Sequence, residues 1–304
     1  MKENGKTKSA RDTFTGSFGY VMATAASAVG LGNIWRFPYL AAKYGGGIFL
    51  IIYLVLVVTF GHAMLMSETA LGRMTRKSAV GAFQSFGSNL PLRFGGWINA
   101  IVPMLIAPYY CFIGGWIVKY LYEYLAGNTA SLAENNYFTS FITTFSSTEI
   151  CFIVFTALTF LIVLMGVGNG VEKASKILMP LLVLLAIVIA VYSMTRPGAM
   201  EGVRYFFIPN FRKLSLMTLV AAMGQMFFSL SIAMGILYTY GSYLKKDGDI
   251  VKTSRLVETF DSGVSILAGL MIIPAIFAFL GGSEENIRSG PSRSSPNLCV
   301  KFLS

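Results

Sequence analysis

The stretch Ala26-Ser27-Ala28-Val29-Gly30-Leu31-Gly32-Asn33-Ile34-Trp35-Arg36-Phe37-Pro38 lies in an apolar run that otherwise reads as a membrane helix, and its middle does not suit one. Gly30 and Gly32 each lower helix propensity by roughly 1 kcal/mol relative to alanine. Asn33 and Arg36 follow at once. Non-helical backbone is tolerated at membrane depth only where it lines a cavity or is buried in protein. An unwound stretch there frees carbonyl oxygens, hard ligands suited to sodium, and N–H groups that can hold a carboxylate. A glycine-rich packing face between helices explains the two glycines and leaves Asn33 and Arg36 without a reason. The ion-and-substrate reading accounts for all four.

The rest of the chain supplies the membrane context. Of 304 residues 55% are hydrophobic and 12% charged, with a mean hydropathy of +0.64; soluble domains carry roughly 25% charged residues. Seven apolar segments, near 14–39, 47–71, 97–125, 151–167, 174–194, 216–243 and 254–280, approach or exceed the roughly 20 residues that cross a bilayer. The basic start (Lys2, Lys6, Lys8, Arg11) runs into the first segment without a signal-peptide pattern.

The net charge of +10 does not point to nucleic acid, because much of it sits in short loops beside apolar segments. With the N-terminus inside, Arg73, Arg76, Lys77, Arg93, Lys173, Lys176, Lys245, Lys246, Lys252 and Arg255 fall on the inner side, and the long outer loop 127–148 has no lysine or arginine. The stretch 196–213 departs from this trend.

Two further features match the first. In Gly224-Gln225-Met226-Phe227-Phe228-Ser229-Leu230-Ser231-Ile232-Ala233-Met234-Gly235, glycines bracket two hydroxyls set among aromatics. The serines can bond to their own helix's carbonyls or to a ligand, and this segment alone does not choose. Asp261 is an acid inside the seventh segment, which makes it a functional-site residue by default. Glu68 reads as a snorkelling acid or a partner of Arg73. The sole histidine, His62, shows no partner in sequence, and Cys111, Cys151 and Cys299 show no metal-ligand spacing. Without a triad, a phosphate loop or a metal cluster, an enzyme reading has no support.

The run from Ala28 to Pro38 resembles the signature of the neurotransmitter:sodium symporter family, in particular its bacterial amino-acid transporters. Gly45-Gly46-Gly47, Gly170-Val171-Glu172-Lys173, the stretch from Gly224 to Gly235 and Lys245-Lys246-Asp247 fit as well, over roughly residues 11 to 282. The resemblance implies an all-α integral membrane protein: the first seven helices of the inverted-repeat, leucine-transporter-like fold, with helices 1 and 6 unwound mid-membrane, a geometry known from that fold itself.

Carried over by position, it implies a first sodium site from the Ala28 carbonyl, Asn33, Ser229 (where threonine is common) and Asp261, and a partial second site from the Ala26 and Val29 carbonyls. The substrate carboxylate would lie near Leu31, Gly32 and the Tyr110 hydroxyl, and its side chain near Ile106, Phe228, Ser231 and Met234, a mainly apolar pocket for a neutral or hydrophobic amino acid. Arg36 with Phe228 matches the outer gate; Arg11, Phe14 (in place of the usual tryptophan) and Tyr243 match the inner one. Ser265 falls at the chloride-associated position of chloride-dependent relatives, which have asparagine where this chain has Asp261, so the resemblance implies chloride-independent transport.

The implied function is sodium-coupled amino-acid symport by alternating access across the bacterial inner membrane, without organic cofactor, metal other than sodium, or nucleic-acid partner. Residues 1–282 read as the transmembrane domain and 283–304 as a polar, aberrant tail. The family's second repeat is incomplete over this sequence, so the chain alone is expected not to transport. The alternative is a non-transporting membrane fragment or helix-association protein from a frameshifted gene. Sequence leaves the oligomeric state open.

Overall fold

The computed structural model describes residues 14, 16–128, 132, 137–245 and 248–280. Arg11, Cys299 and the tail 283–304 lie outside the described residues. The elements run, in order, α1 (Ser17–Ala28), a π turn (Gly32–Arg36) leading into α2 (Phe37–Lys43), and α3 (Gly47–Leu56), joined by a second π turn (Val57–Gly61) to α4 (His62–Thr75). The short α5 (Ala79–Gln84) precedes α6 (Leu90–Leu125), α7 (Tyr137–Thr143) and α8 (Phe145–Leu164). A third π turn (Val167–Glu172) opens α9 (Lys173–Met194), followed by α10 (Ala199–Phe207), α11 (Leu216–Ser229), α12 (Ile236–Tyr243) and α13 (Ile250–Leu280).

Five helices are long and apolar enough to cross a membrane: Gly47–Thr75, Leu90–Leu125, Phe145–Leu164, Val167–Met194 and Ile250–Phe279. Their bounds exceed or shift the sequence-drawn segments by several residues, because polar ends such as Arg73 and Arg93 remain helical outside the apolar window. The first and sixth segments are each broken. α1 ends at Ala28, and Val29 turns extended (ψ 109). α11 gives way to a non-helical stretch in which Ser231 (φ 56), Ala233 (φ 60) and Gly235 (φ 69) adopt left-handed backbone. The breaks that the resemblance implied in helices 1 and 6 are therefore present.

α13 sits at the centre, with half of its apolar window buried, whereas none of the α8 window is. Around α13 pack α1, α2, α4, α9 and α10. α8 presents Phe145, Phe160 and Leu164 outward, as a lipid-facing helix does. The core beside α13 is aromatic: Phe37 stands 5.0 Å from Tyr53 and 5.7 Å from Phe49, and all three are buried.

Close approach of backbones sets the crossing of α4 and α12. A Cβ on Gly72 would lie 2.2 Å from the Tyr238 carbonyl oxygen, and one on Gly241 2.5 Å from that of Thr69. Small residues take this role in membrane bundles. Gly72→Val is expected to destabilise the chain by about 1–3 kcal/mol, read as a lowered melting temperature in detergent.

Candidate functional site

The breaks in the first and sixth segments meet beside α13, and a buried polar cluster joins the three. Asn33 Nδ2 lies 3.0 Å from Ser229 Oγ, 2.7 Å from Asp261 Oδ1, 3.1 Å from the Asp261 carbonyl and 2.9 Å from Ser265 Oγ. The Ser229 hydroxyl donates to the Asp261 carboxylate (2.8 and 2.7 Å), and the Tyr53 hydroxyl donates to Asp261 Oδ2 at 3.0 Å. Asn33, Tyr53, Asp261 and Ser265 are fully buried, and Ser229 nearly so.

Two properties of this cluster bear on its chemistry. An amide nitrogen has two hydrogens, yet Asn33 Nδ2 faces four oxygens, so it can serve only two of them at once. Among the described residues, no lysine, arginine or histidine pairs with Asp261. Burying a carboxylate without a positive partner is strongly unfavourable. A nest of hard oxygens around an unpaired buried carboxylate is suited to a small hard cation.

The first break is held open by the same asparagine. Asn33 Oδ1 accepts the Gly30 N–H at 3.1 Å, which is the donor the Ala26 carbonyl would use in a continued helix. The Asn33 N–H in turn bonds the Gly30 carbonyl at 3.1 Å instead of that of Val29. The helix end thus leaves the Ala26, Ala28 and Val29 carbonyls without their helical partners, and these are the carbonyls the sequence reading assigned to sodium.

Around this break stand the residues expected to meet substrate. A Cβ on Gly30 would lie 3.6 Å from Tyr110 Cε1 and 3.8 Å from its hydroxyl oxygen, so Tyr110 faces the turn beside Leu31 and Gly32. Gly32 packs on Phe228, whose ring carbon would come within 2.9 Å of an added Cβ. Ile106 lies one turn before Tyr110 on α6; it and Met234 are half-buried, and Ser231 is buried.

Of the gate residues, Arg36 donates to the Gly224 carbonyl at 3.2 Å and lies 5.0 Å over the Phe228 ring. Phe14 is buried with Tyr243 (ring centroids 6.3 Å apart), and its N–H reaches the Tyr243 carbonyl at 3.4 Å.

Sequence reasoning missed several residues. Tyr53 is one, hidden in a long apolar run. Gln225 is another: it is fully buried and donates from Nε2 to the Gly32 carbonyl at 2.9 Å, tying the two breaks together. Glu68 is a correction. It neither snorkels nor pairs with Arg73: it is buried, and its Oε1 accepts the Ala233 N–H at 2.8 Å, inside the second break. Arg73 donates instead to the Gly248 carbonyl. Asn99 on α6 takes the Gly235 N–H at 3.2 Å.

A family model described as the sodium:neurotransmitter symporter family matches residues 11–140 and 137–289. The uncharacterized sodium-dependent transporter YhdH of Bacillus subtilis is 37% identical over 277 residues, covering 90% of this chain and 60% of its own length. An uncharacterized sodium-dependent transporter of Methanocaldococcus jannaschii is 33% identical, covering 89% of this chain and 56% of its own length. The chain thus spans roughly three fifths of the curated relatives it matches. A crystal structure of MhsT in complex with L-phenylalanine superposes with a TM-score of 0.82 at 34% identity, over 96% of this chain and 69% of that one.

Proposed function

The chain belongs to the sodium:neurotransmitter symporter family, and on that premise we propose that it binds sodium and a neutral or hydrophobic amino acid for sodium-coupled symport. The observation that carries this reading is the Asn33–Ser229–Asp261 cluster, an oxygen-rich, buried site built around a carboxyl group and lying against the break at Gly30. Sodium is cargo here, and no bond of the substrate is made or broken.

Asp261 supplies the charge that attracts the ion, Ser229 and Asn33 supply neutral oxygens, and the Ala28 carbonyl completes the first set. Ala26 and Val29 carbonyls begin a second. Leu31 and Gly32 N–H groups with the Tyr110 hydroxyl hold the substrate carboxylate, while Ile106, Phe228, Ser231 and Met234 bound its side chain. Arg36 on Phe228 closes the outer side. Phe14 with Tyr243 closes the inner side, together with Arg11.

The lysine and arginine bias supports a cytoplasmic N-terminus, and likeness to the Bacillus subtilis relative supports placement in a bacterial inner membrane. Residues 1–282 form the transporter domain in this reading.

The test is equilibrium binding of radiolabelled amino acids to the purified chain in lipid nanodiscs, in sodium or in potassium at equal ionic strength. Saturable binding of leucine or phenylalanine is expected in sodium and at least about tenfold weaker binding in potassium. Glutamate and lysine are expected not to compete. Equal binding in both salts, or none in either, rejects the proposal. Replacing chloride by gluconate is expected to leave binding unchanged, because Asp261 already supplies the anion; loss of binding would remove that role.

A further inference from the structure

His62 is the chain's only histidine, and the fold gives it a partner that the sequence did not reveal. It is the first residue of α4, directly after the π turn Val57–Gly61. Its Nδ1 lies 2.7 Å from Oε1 of Glu258 on α13, and the two side chains are only 19% and 9% exposed. Both sit inside helices long and apolar enough to cross a membrane. Neither belongs to the oxygen cluster, but Glu258 precedes Asp261 by one turn of the same helix.

The charged surroundings are sparse. Arg255, one turn before Glu258, is the other charge that acts on it. On α4, Glu68 is engaged by Ala233 and Arg73 by Gly248. The titratable groups of α12 turn elsewhere: Tyr238 towards Glu68, Tyr240 towards Ser27, and Tyr243 onto Phe14. Within the described residues α5 contributes none.

We propose that His62 and Glu258 form a proton-binding site, one exchangeable proton held between imidazole and carboxylate at the contact of α4 and α13. The pair has two forms. A neutral imidazole beside a carboxylate carries one negative charge; with one more proton the pair is neutral overall, as imidazolium with carboxylate or imidazole with carboxylic acid. Ionisable groups at membrane depth mark proton and ion pathways, and histidine is the side chain whose ordinary titration range lies nearest neutral pH. A fixed structural hydrogen bond would keep a single protonation state; a proton site changes state over that range.

The placement also sets a direction of coupling. Residues three apart on a helix stand about 5–6 Å apart at Cβ, so the pair feels the charge at Asp261. A cation bound there opposes a proton on the pair, and by linkage a proton on the pair weakens the cation to the same degree. At such distances the mutual effect is about three- to thirtyfold. This second step rests on the sodium reading of the Asp261 cluster; the proton site itself does not.

Because there is one histidine, the chain grown on 15N-histidine gives one imidazole to follow by NMR in nanodiscs. In the unsubstituted chain, the His62 resonances and the carboxyl band of Glu258 in the infrared are expected to change in step as one proton is added to the pair. In Glu258→Gln the response of the His62 resonances to added protons is expected to differ from that of the unsubstituted chain. Addition of sodium in place of potassium is expected to release protons into weakly buffered medium from the unsubstituted chain, and none from Glu258→Gln or His62→Gln.

A single protonation state of His62 across the range, or a response indifferent to Glu258→Gln in a correctly folded variant, overturns the proposal. If His62 and Glu258 titrate together but radioactive sodium does not bind, the sodium reading fails and the proton site stands. If sodium binds and His62 does not titrate, the reverse holds.

Discussion

Asp261→Asn is expected to weaken sodium binding by about a hundredfold or more, since it removes the one carboxylate of the cluster from a fully buried site. Asparagine has nearly the same shape, so the substitution tests charge and not packing. Its sign on stability separates an ion site from a structural network. Asp261 is fully buried and, among the described residues, paired with no cation. In the absence of sodium, neutralising it relieves an uncompensated charge, and the melting temperature is expected to rise by a few degrees. In sodium the order reverses. The unsubstituted chain gains stability with sodium concentration because the ion binds only the folded form, while Asp261→Asn shows no gain. Were Asp261 only a hydrogen-bond hub for Asn33, Ser229 and Tyr53, the substitution would destabilise the chain equally in sodium and potassium. Melting curves in the two salts decide between these outcomes.

The first break was legible because its cause is local: two glycines followed by an amide and a guanidinium in an apolar run. What keeps it open was not. The capture of the Gly30 N–H by Asn33 Oδ1 depends on Asn33 being fixed by Ser229 and Asp261, which lie far along the chain. The second break was only half legible. Gly235 marks its end, but Ser231 and Ala233 take positive φ without being glycine, and intrinsic propensity argues against that. The fold imposes it through bonds from Glu68 and Asn99 on other helices. Glu68 was misread for a related reason. Arg73 is its nearest opposite charge in sequence, and on the helix the two lie five residues apart, on different faces. The π turn at Val57–Gly61 left no trace either, because Val-Val-Thr-Phe-Gly has no proline and no charge to announce it. Long-range polar contacts thus account for most of what the sequence did not disclose.

Glu68→Ala is expected to lower sodium-dependent amino-acid affinity more than tenfold while leaving the chain folded. Glu68→Gln is expected to stay within a few-fold. The argument turns on one hydrogen bond. The Ala233 N–H lies in the non-helical stretch between α11 and α12, and its acceptor is Glu68 Oε1 at 2.8 Å. Removing the acceptor loses a bond of about 1 kcal/mol, and with it the contact that holds Ala233 in its left-handed conformation. Release of that backbone carries Ser231 and Met234, both assigned to the substrate pocket, away from Gly32 and Phe228. Glutamine keeps a carbonyl oxygen in the same place and so keeps the bond. A structural role for the charge itself, and not for the acceptor, would make glutamine as damaging as alanine. Parallel binding isotherms for the two variants, with thermal melting as the control for folding, distinguish acceptor from charge and show whether the second break is held in shape from outside its own helix.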